Sequence, residues 1–287
     1  MWFVVQRHYQ HQSALFWSRS PGVIKGSLPK LTASKVERIF FAMARPLRRI
    51  IPDVVYHVLN RGNGRMRIFR KDGDYQAFLN CLSEGLRRYR VDLLAWCVMP
   101  NHWHLVLRPR AEKQLQEFMR WITVTHVRRH HGYHDGNSGH LYQGRYKHFC
   151  VEEDSHFLTL CRYVEANPLR AQLVADAEVW PWSSLHQRLH HWQNPPLADW
   201  PMERPRNWTA VVNEALGETE LKHLREHVIR DRPLGTSTWM RKMATRQHLE
   251  QTLRPRGRPP APMESLSPRQ CRRRLAKAKE AKGQNGK

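Results

Sequence analysis

Acidic residues are scarce in this chain: 25 Asp and Glu stand against 48 Lys and Arg over 287 residues, a formal charge of +23. Such a surface is unsuited to a cationic partner and favours a polyanion, because Lys and Arg contacts to phosphate release condensed counterions. Long apolar runs are also missing. The run Leu93–Met99 is far short of the ~20 residues needed to span a bilayer, so no membrane partner is expected. Met1–Gln10 mixes Arg and His among its apolar residues without an h-region, and does not read as a secretory signal. Cysteine is sparse, with five scattered at 81, 97, 150, 161 and 271 and no C-x-x-C. That excludes a disulfide framework or a structural zinc site and suits a reducing cytoplasm. Apolar residues still reach 40 %, with 11 Trp, enough to bury a core and to exclude a wholly disordered chain.

The patterning places regular structure from about Pro46 onward. Tyr56–Asn60 reads as a strand, followed by a turn at Arg61-Gly62-Asn63-Gly64. From Asp72 to Arg90, the apolar residues Tyr75, Phe78, Leu79, Leu82, Leu86 and Tyr89 recur with helical period. Val91–Met99 is a buried strand, Pro100-Asn101 a turn, and His102–Arg108 a returning strand. Leu115, Phe118, Met119 and Ile122 mark a second amphipathic helix, and His130–Gly139 reads as a polar loop. Tyr146–Val151 is a short strand. A third helix, capped by Asp154 or Ser155, runs toward Ala166, where Pro168 should stop it. Strand–helix–strand–strand–helix–strand predicts an α+β fold, the ferredoxin-like split βαβ, with an antiparallel sheet and helices on one face.

Four regions follow: a weakly patterned extension at 1–42, a catalytic domain at 43–190, a helical region at 191–253 entered through a Pro195–Pro205 linker, and a basic tail at 254–287. Met43 is the expected working start. The tail carries 11 Lys and Arg against 2 Glu, and is expected to be disordered when free. It contains Arg256-Gly257-Arg258-Pro259, the core of an AT-hook, in which two Arg side chains enter a narrow A·T minor groove. In so Arg- and Pro-rich a tail, the motif reads first as generic polycation and second as a groove reader.

Two local patterns carry chemistry. His102-Trp103-His104 puts two imidazoles on one face of a strand and Trp103 on the other. That is half of a divalent-metal site, though a bare H-x-H is a weak signal in a chain with 18 His. Tyr163 and Asn167 lie one helical turn apart, so a nucleophile and a carbonyl ligand could meet one metal. Taken alone, Tyr163 reads first as a half-buried packing ring with a wet hydroxyl and second as a nucleophile.

Taken together, these motifs resemble the REP-associated tyrosine transposases, a branch of the single-tyrosine HUH transposases. The resemblance runs in order through Ala44-Arg45-Pro46-Leu47-Arg48, Val55-Tyr56-His57-Val58, Asn60-Arg61-Gly62-Asn63, Met99–Val106 and Gly139–Lys147. It continues through Arg162–Ala171 and Trp180-Pro181-Trp182-Ser183-Ser184. It implies that His102 and His104 bind the metal (Mg²⁺ or Mn²⁺), that Tyr163 is the nucleophile, and that Asn167 completes the metal site where relatives sometimes have Gln. It implies a covalent 5′-phosphotyrosine, no ATP, and a single-stranded substrate beside a hairpin, typically a repetitive extragenic palindrome. It also favours a monomer over a dimer and a place on the bacterial nucleoid. Arg61, Arg65, Arg67, Arg145 and Lys147 are candidates to hold phosphates, and Tyr56, Tyr142 and Tyr146 to stack bases. The competing reading is a non-catalytic DNA-binding regulator on the same scaffold. A phosphodiesterase using water is a third.

Overall fold

Alternating side chains along four short segments build the centre of the molecule. The structure, a computed structural model, describes residues 49–134, 139–254, 267–269 and 272–273. The extension at 1–42, Met43, and Arg256 and Arg258 of the tail lie outside the described residues. Strands β1 (Val55–Arg61), β2 (Val91–Met99), β3 (His102–Pro109) and β4 (Lys147–Val151) form one sheet. They pair antiparallel in the order β2-β3-β1-β4. Strands β1 and β2 thus flank β3, the split βαβ arrangement. Helices α1 (Asp72–Arg88) and α2 (Gln114–Tyr133) are its two crossovers, and α3 (Ser155–Glu165) follows β4.

Both sheet faces are apolar, so both must be covered. Tyr56, Val58, Trp96, Trp103 and Leu105 pack with Phe78 and Leu82 of α1 and Phe118 and Ile122 of α2. The alternate residues Val55, Cys97, Met99 and Val106 pack with Phe157, Leu160, Cys161 and Val164 of α3. The α+β antiparallel architecture is as the sequence predicts. Helices on one face hold for α1 and α2, whereas α3 closes the second face, because Leu94, Cys97 and Met99 would otherwise meet water there. The His130–Gly139 loop also begins later than its composition suggests. Helix α2 continues to Tyr133, since His126 and His130, one turn apart, both turn inward and are buried.

Downstream lie α4 (Asn167–Arg170), α5 (Ser184–Leu189), α6 (Trp208–Asn213), α7 (Glu218–Arg230) and α8 (Ser237–Gln247). They pack back onto the sheet. Gln247 of α8 donates from Nε2 to the Tyr56 hydroxyl (2.7 Å), and Leu234 bridges Val151 of β4. The segment read as a Pro195–Pro205 linker runs beside β2: Ala198 N–H donates to the Leu93 carbonyl and Trp200 Nε1 to the Leu94 carbonyl, each at 2.8 Å.

Trp180-Pro181-Trp182-Ser183-Ser184 occupies the outer edge of β2. Val98 N–H donates to the Trp182 carbonyl (2.9 Å) and Trp180 Nε1 to the Val98 carbonyl (3.0 Å). The Ser184 hydroxyl accepts from Trp96 N–H (2.9 Å) and lies 3.2 Å from the Trp96 carbonyl. This segment thus pairs with strand backbone that would otherwise be orphaned, while the Trp182 ring stacks on Tyr75 at 4.8 Å.

Two buried histidines make the fold acid-sensitive. Burial pushes His126 down to about 3, its Nδ1 lying 2.7 Å from the Tyr142 hydroxyl. Burial pushes His227 down to about 4, although its Nδ1–H donates to the Arg232 carbonyl (3.0 Å). In the unfolded chain both imidazoles titrate near ~6.5. Below that pH the unfolded state binds protons that the folded state refuses, so stability falls as pH falls. Thermal unfolding followed by circular dichroism should show a constant midpoint above about pH 7. The loss below it should approach ~1.4 kcal/mol per pH unit for each such histidine, down to about pH 4.

Candidate active site

The turn before β3 is held from two sides. Gly62 N–H donates to the Asn101 carbonyl (2.8 Å), and Ile68 and Phe69 N–H groups donate to the Pro100 carbonyl (2.9 and 3.0 Å). Gly62 is required there: a Cβ would stand 2.5 Å from the Met66 carbonyl oxygen. The Arg-Gly-Asn turn therefore fixes where β3 begins, and with it His102.

Strand alternation then does what the sequence predicts. Trp103 enters the core, with Nε1 donating to the Tyr142 hydroxyl at 2.9 Å. His102 and His104 project to the opposite face with ring centroids 5.0 Å apart. Helix α3 brings Tyr163 to the same place, its ring edge-on to His104 at 5.9 Å. Asp154 starts that helix by accepting from His156 N–H (2.8 Å).

Each histidine has its Nδ1 engaged. His102 Nδ1 lies 2.6 Å from Asn101 Oδ1. The Asn101 amide is oriented by its Nδ2, which donates to the Arg65 carbonyl at 3.2 Å. The oxygen therefore faces the ring, His102 donates from Nδ1, and its Nε2 keeps a lone pair. His104 Nδ1 lies 2.8 Å from Nε2 of a third imidazole, His57 on β1. Burial, then the charges of Arg61 and Arg170, pushes His102 down to about 4. Burial, then the neighbouring His102 and His57, holds His104 well below the usual range. Both rings are neutral at physiological pH, the form that ligates metal. His102 keeps its lone pair at Nε2, and His104 keeps one there in the tautomer that donates from Nδ1; in that form the pair fits a divalent cation.

Asn167 comes close to Tyr163 by a different route from the one its spacing suggests. The helix ends at Glu165, and Asn167 opens α4 because Pro168, lacking an N–H, suits the first turn of a new helix. Asn167 Oδ1 accepts from Arg170 (2.6 Å), while its Nδ2 is buried without a partner. Arg170 also donates to the Tyr163 carbonyl (3.3 Å) and lies 4.3 Å over the Tyr163 ring. In this arrangement a guanidinium occupies the oxygen that a metal would use.

Among the phosphate candidates, Arg65, Arg67, Arg145 and Lys147 are exposed and Arg61 partly so. Arg61 lies opposite His102 across the sheet, and Lys147 opposite Leu59, so they share the histidine end. The aromatic candidates are a correction. Tyr56 is buried with its hydroxyl accepting from Ile51 N–H and Gln247 Nε2. The buried Tyr142 hydroxyl serves Trp103 and His126. Tyr146 is buried in the same core. None can stack a base without unpacking that core. Sequence patterning does not single out His57 or Arg170, although both stand inside the motifs that carry the resemblance.

Among the described residues, Glu152, Asp154 and His156 also gather ligand atoms within 4.8 Å of one another. Glu152 accepts from Thr236 N–H (2.6 Å), and Asp154 caps α3 and meets His156 Nδ1 at 2.7 Å. Those bonds account for the cluster as helix and loop anchoring.

Residues 51–167 match the sequence family described as transposase IS200 like. Over this segment the chain is similar to that family. The segment spans β1 to the start of α4 and so includes all three site histidines, Tyr163 and Asn167. The chain is also similar to a REP-associated tyrosine transposase solved with a REP hairpin: 18 % identity, 57 % of this chain, 93 % of that one, TM-score 0.44. A Deinococcus radiodurans R1 protein described as a transposase gives 17 % identity over 45 % of this chain and 92 % of that one, TM-score 0.30. No curated protein matches the chain. No described helix of the chain is long and apolar enough to cross a membrane.

Proposed function

We propose that this protein is an IS200-like transposase, a metal-assisted single-strand DNA endonuclease and strand transferase with Tyr163 as its nucleophile. The observation that carries the reading is the convergence of Tyr163 with His104, His57 and Arg170 on one sheet face. His102 and His104 would hold Mg²⁺ or Mn²⁺, and Asn167, whose oxygen accepts from Arg170, is the third candidate. When bound, that ion polarises the scissile phosphate and neutralises charge on it.

The remaining chemistry belongs to the chain. The Tyr163 oxygen attacks phosphorus, losing its proton, and a new P–O bond to tyrosine forms. The bond from phosphorus to the 3′ oxygen breaks, and that oxygen leaves as a hydroxyl after taking a proton. The 5′ phosphate stays on Tyr163. The same 3′-hydroxyl can later attack the phosphotyrosine and release the tyrosine, so rejoining needs no ATP. Arg170, over the ring and bonded to the Tyr163 carbonyl, holds the nucleophile in place.

The order of motifs supports a hairpin-flanked single strand of the REP type as substrate. Arg61, Arg65, Arg67, Arg145 and Lys147 would hold its phosphates. Histidines and tyrosine meet within one chain, which supports a monomer. The test is a labelled hairpin strand incubated with the full chain and Mn²⁺ or Mg²⁺. A protein–DNA adduct that survives denaturing gels and fails to form in chelator is expected. Cleavage without adduct would instead mean a water-using phosphodiesterase, and binding without cleavage a regulator.

The tail has a separate role in this reading. Removing residues 254–287 should weaken single-strand binding by about tenfold or more at low salt. It should also flatten the salt dependence, by ~0.7 in log–log slope for each phosphate the tail no longer neutralises. Adduct yield at saturating DNA should be unchanged. Fluorescence anisotropy across a salt series measures the first effect and a denaturing gel the second.

A further inference from the structure

His57 is fully buried, yet its ring makes a single side-chain hydrogen bond, the 2.8 Å contact to His104. The ring is wedged between His104, parallel within 14° at 5.1 Å, and Phe149 at 5.0 Å, with the Tyr163 edge at 6.4 Å. Its Nδ1 is buried without a partner among the described residues. An apolar side chain would fill this position without leaving a buried polar atom unsatisfied. The imidazole is therefore poorly accounted for by packing, and its one bond is what distinguishes it from Leu or Phe.

That bond has two possible proton arrangements. In one, His57 donates from Nε2, His104 accepts at Nδ1, and the His104 proton sits on Nε2, blocking that nitrogen. In the other, His104 donates from Nδ1 to His57, and His104 Nε2 keeps its lone pair. The second is the one a metal ligand needs. His102 already has the matching arrangement, with Asn101 Oδ1 accepting from its Nδ1. We propose that His57 is a positioning residue that fixes the tautomer and ring plane of His104, so that each metal-binding imidazole has its own acceptor. This rests on the reading of His102 and His104 as metal ligands.

The test is Mn²⁺ titration of the full chain without DNA, read by the electron paramagnetic resonance of free Mn²⁺. His57→Leu should weaken Mn²⁺ binding by about 10- to 100-fold, the effect of losing such a partner. His57→Gln, whose side-chain oxygen can accept from His104, should recover most of it. The thermal midpoint of His57→Leu should be no lower than wild type, so the loss cannot be ascribed to unfolding. His57→Met replaces Leu if Leu fails to fold. A folded His57→Leu with wild-type affinity, or a His57→Gln as weak as Leu, would overturn the proposal. If wild type and His104→Ala bind Mn²⁺ alike, the histidine metal site fails and this inference with it. If His104→Ala loses binding and His57→Leu does not, the inference fails alone.

Discussion

Tyr163→Phe should abolish the covalent protein–DNA adduct while leaving DNA binding and folding nearly intact. The substitution removes one oxygen and little else. The ring is 7 % exposed and packed against His104, His57 and the Arg170 guanidinium. Phe keeps those ring contacts, so the thermal midpoint should move little. The oxygen proposed as nucleophile is what disappears, and removal of a covalent nucleophile costs on the order of 10³-fold or more in rate. On a denaturing gel the adduct band should vanish at every Mn²⁺ concentration, while anisotropy reports single-strand affinity within about twofold of wild type. An adduct of undiminished yield in Tyr163→Phe would remove Tyr163 from its role.

Glu165→Leu should be the most destabilising single change near the site. The Glu165 carboxylate is fully buried. It accepts from Trp208 Nε1 of α6 at 2.6 Å, from Arg188 of α5 at 3.0 Å, and from the Ser184 hydroxyl. Truncation leaves the Arg188 guanidinium, 14 % exposed, without its counter-charge. It also strands an indole N–H. Breaking a buried pair by removing one partner costs about 3–5 kcal/mol, a large part of the ~5–15 kcal/mol by which a domain is typically stable. Urea unfolding should register that loss. Glu165→Leu combined with Arg188→Met should recover much of it, because no buried charge is then left alone. A single variant within about 1 kcal/mol of wild type, well below the cost of breaking such a pair, would mean that water replaces the carboxylate. Glu165 lies two residues from Tyr163, so this ion pair also fixes the end of the helix that carries Tyr163.

Much of the sheet was readable because period-2 and period-3.6 signals are local. Val91–Met99 and His102–Arg108 stand as expected, and alternation alone puts His102 and His104 on one side and Trp103 on the other. What needed the structure was pairing at a distance. His57 and His104 are 47 residues apart, and only strand register sets one ring against the other. Tyr142 sits in a basic, aromatic stretch that looks outward by composition. Trp103 and His126 claim its hydroxyl, which composition cannot reveal. Asn167 obeys an i+4 rule until Pro168 starts a second helix, after which Arg170 decides what its oxygen does.

The covered edge of β2 has a consequence for how copies of this protein can meet. Carbonyls of Leu93, Leu94 and Val98, and the N–H groups of Trp96 and Val98, are all engaged by residues 180–200 of the same chain. On the far side, Leu234 exchanges main-chain bonds with Cys150 and Glu152, both at 2.9 Å. A neighbouring molecule therefore finds no free ladder along β2 to extend. Two copies brought close on one strand of DNA would meet through helices and loops, and crowding on a polyanion would not zip them into a shared sheet.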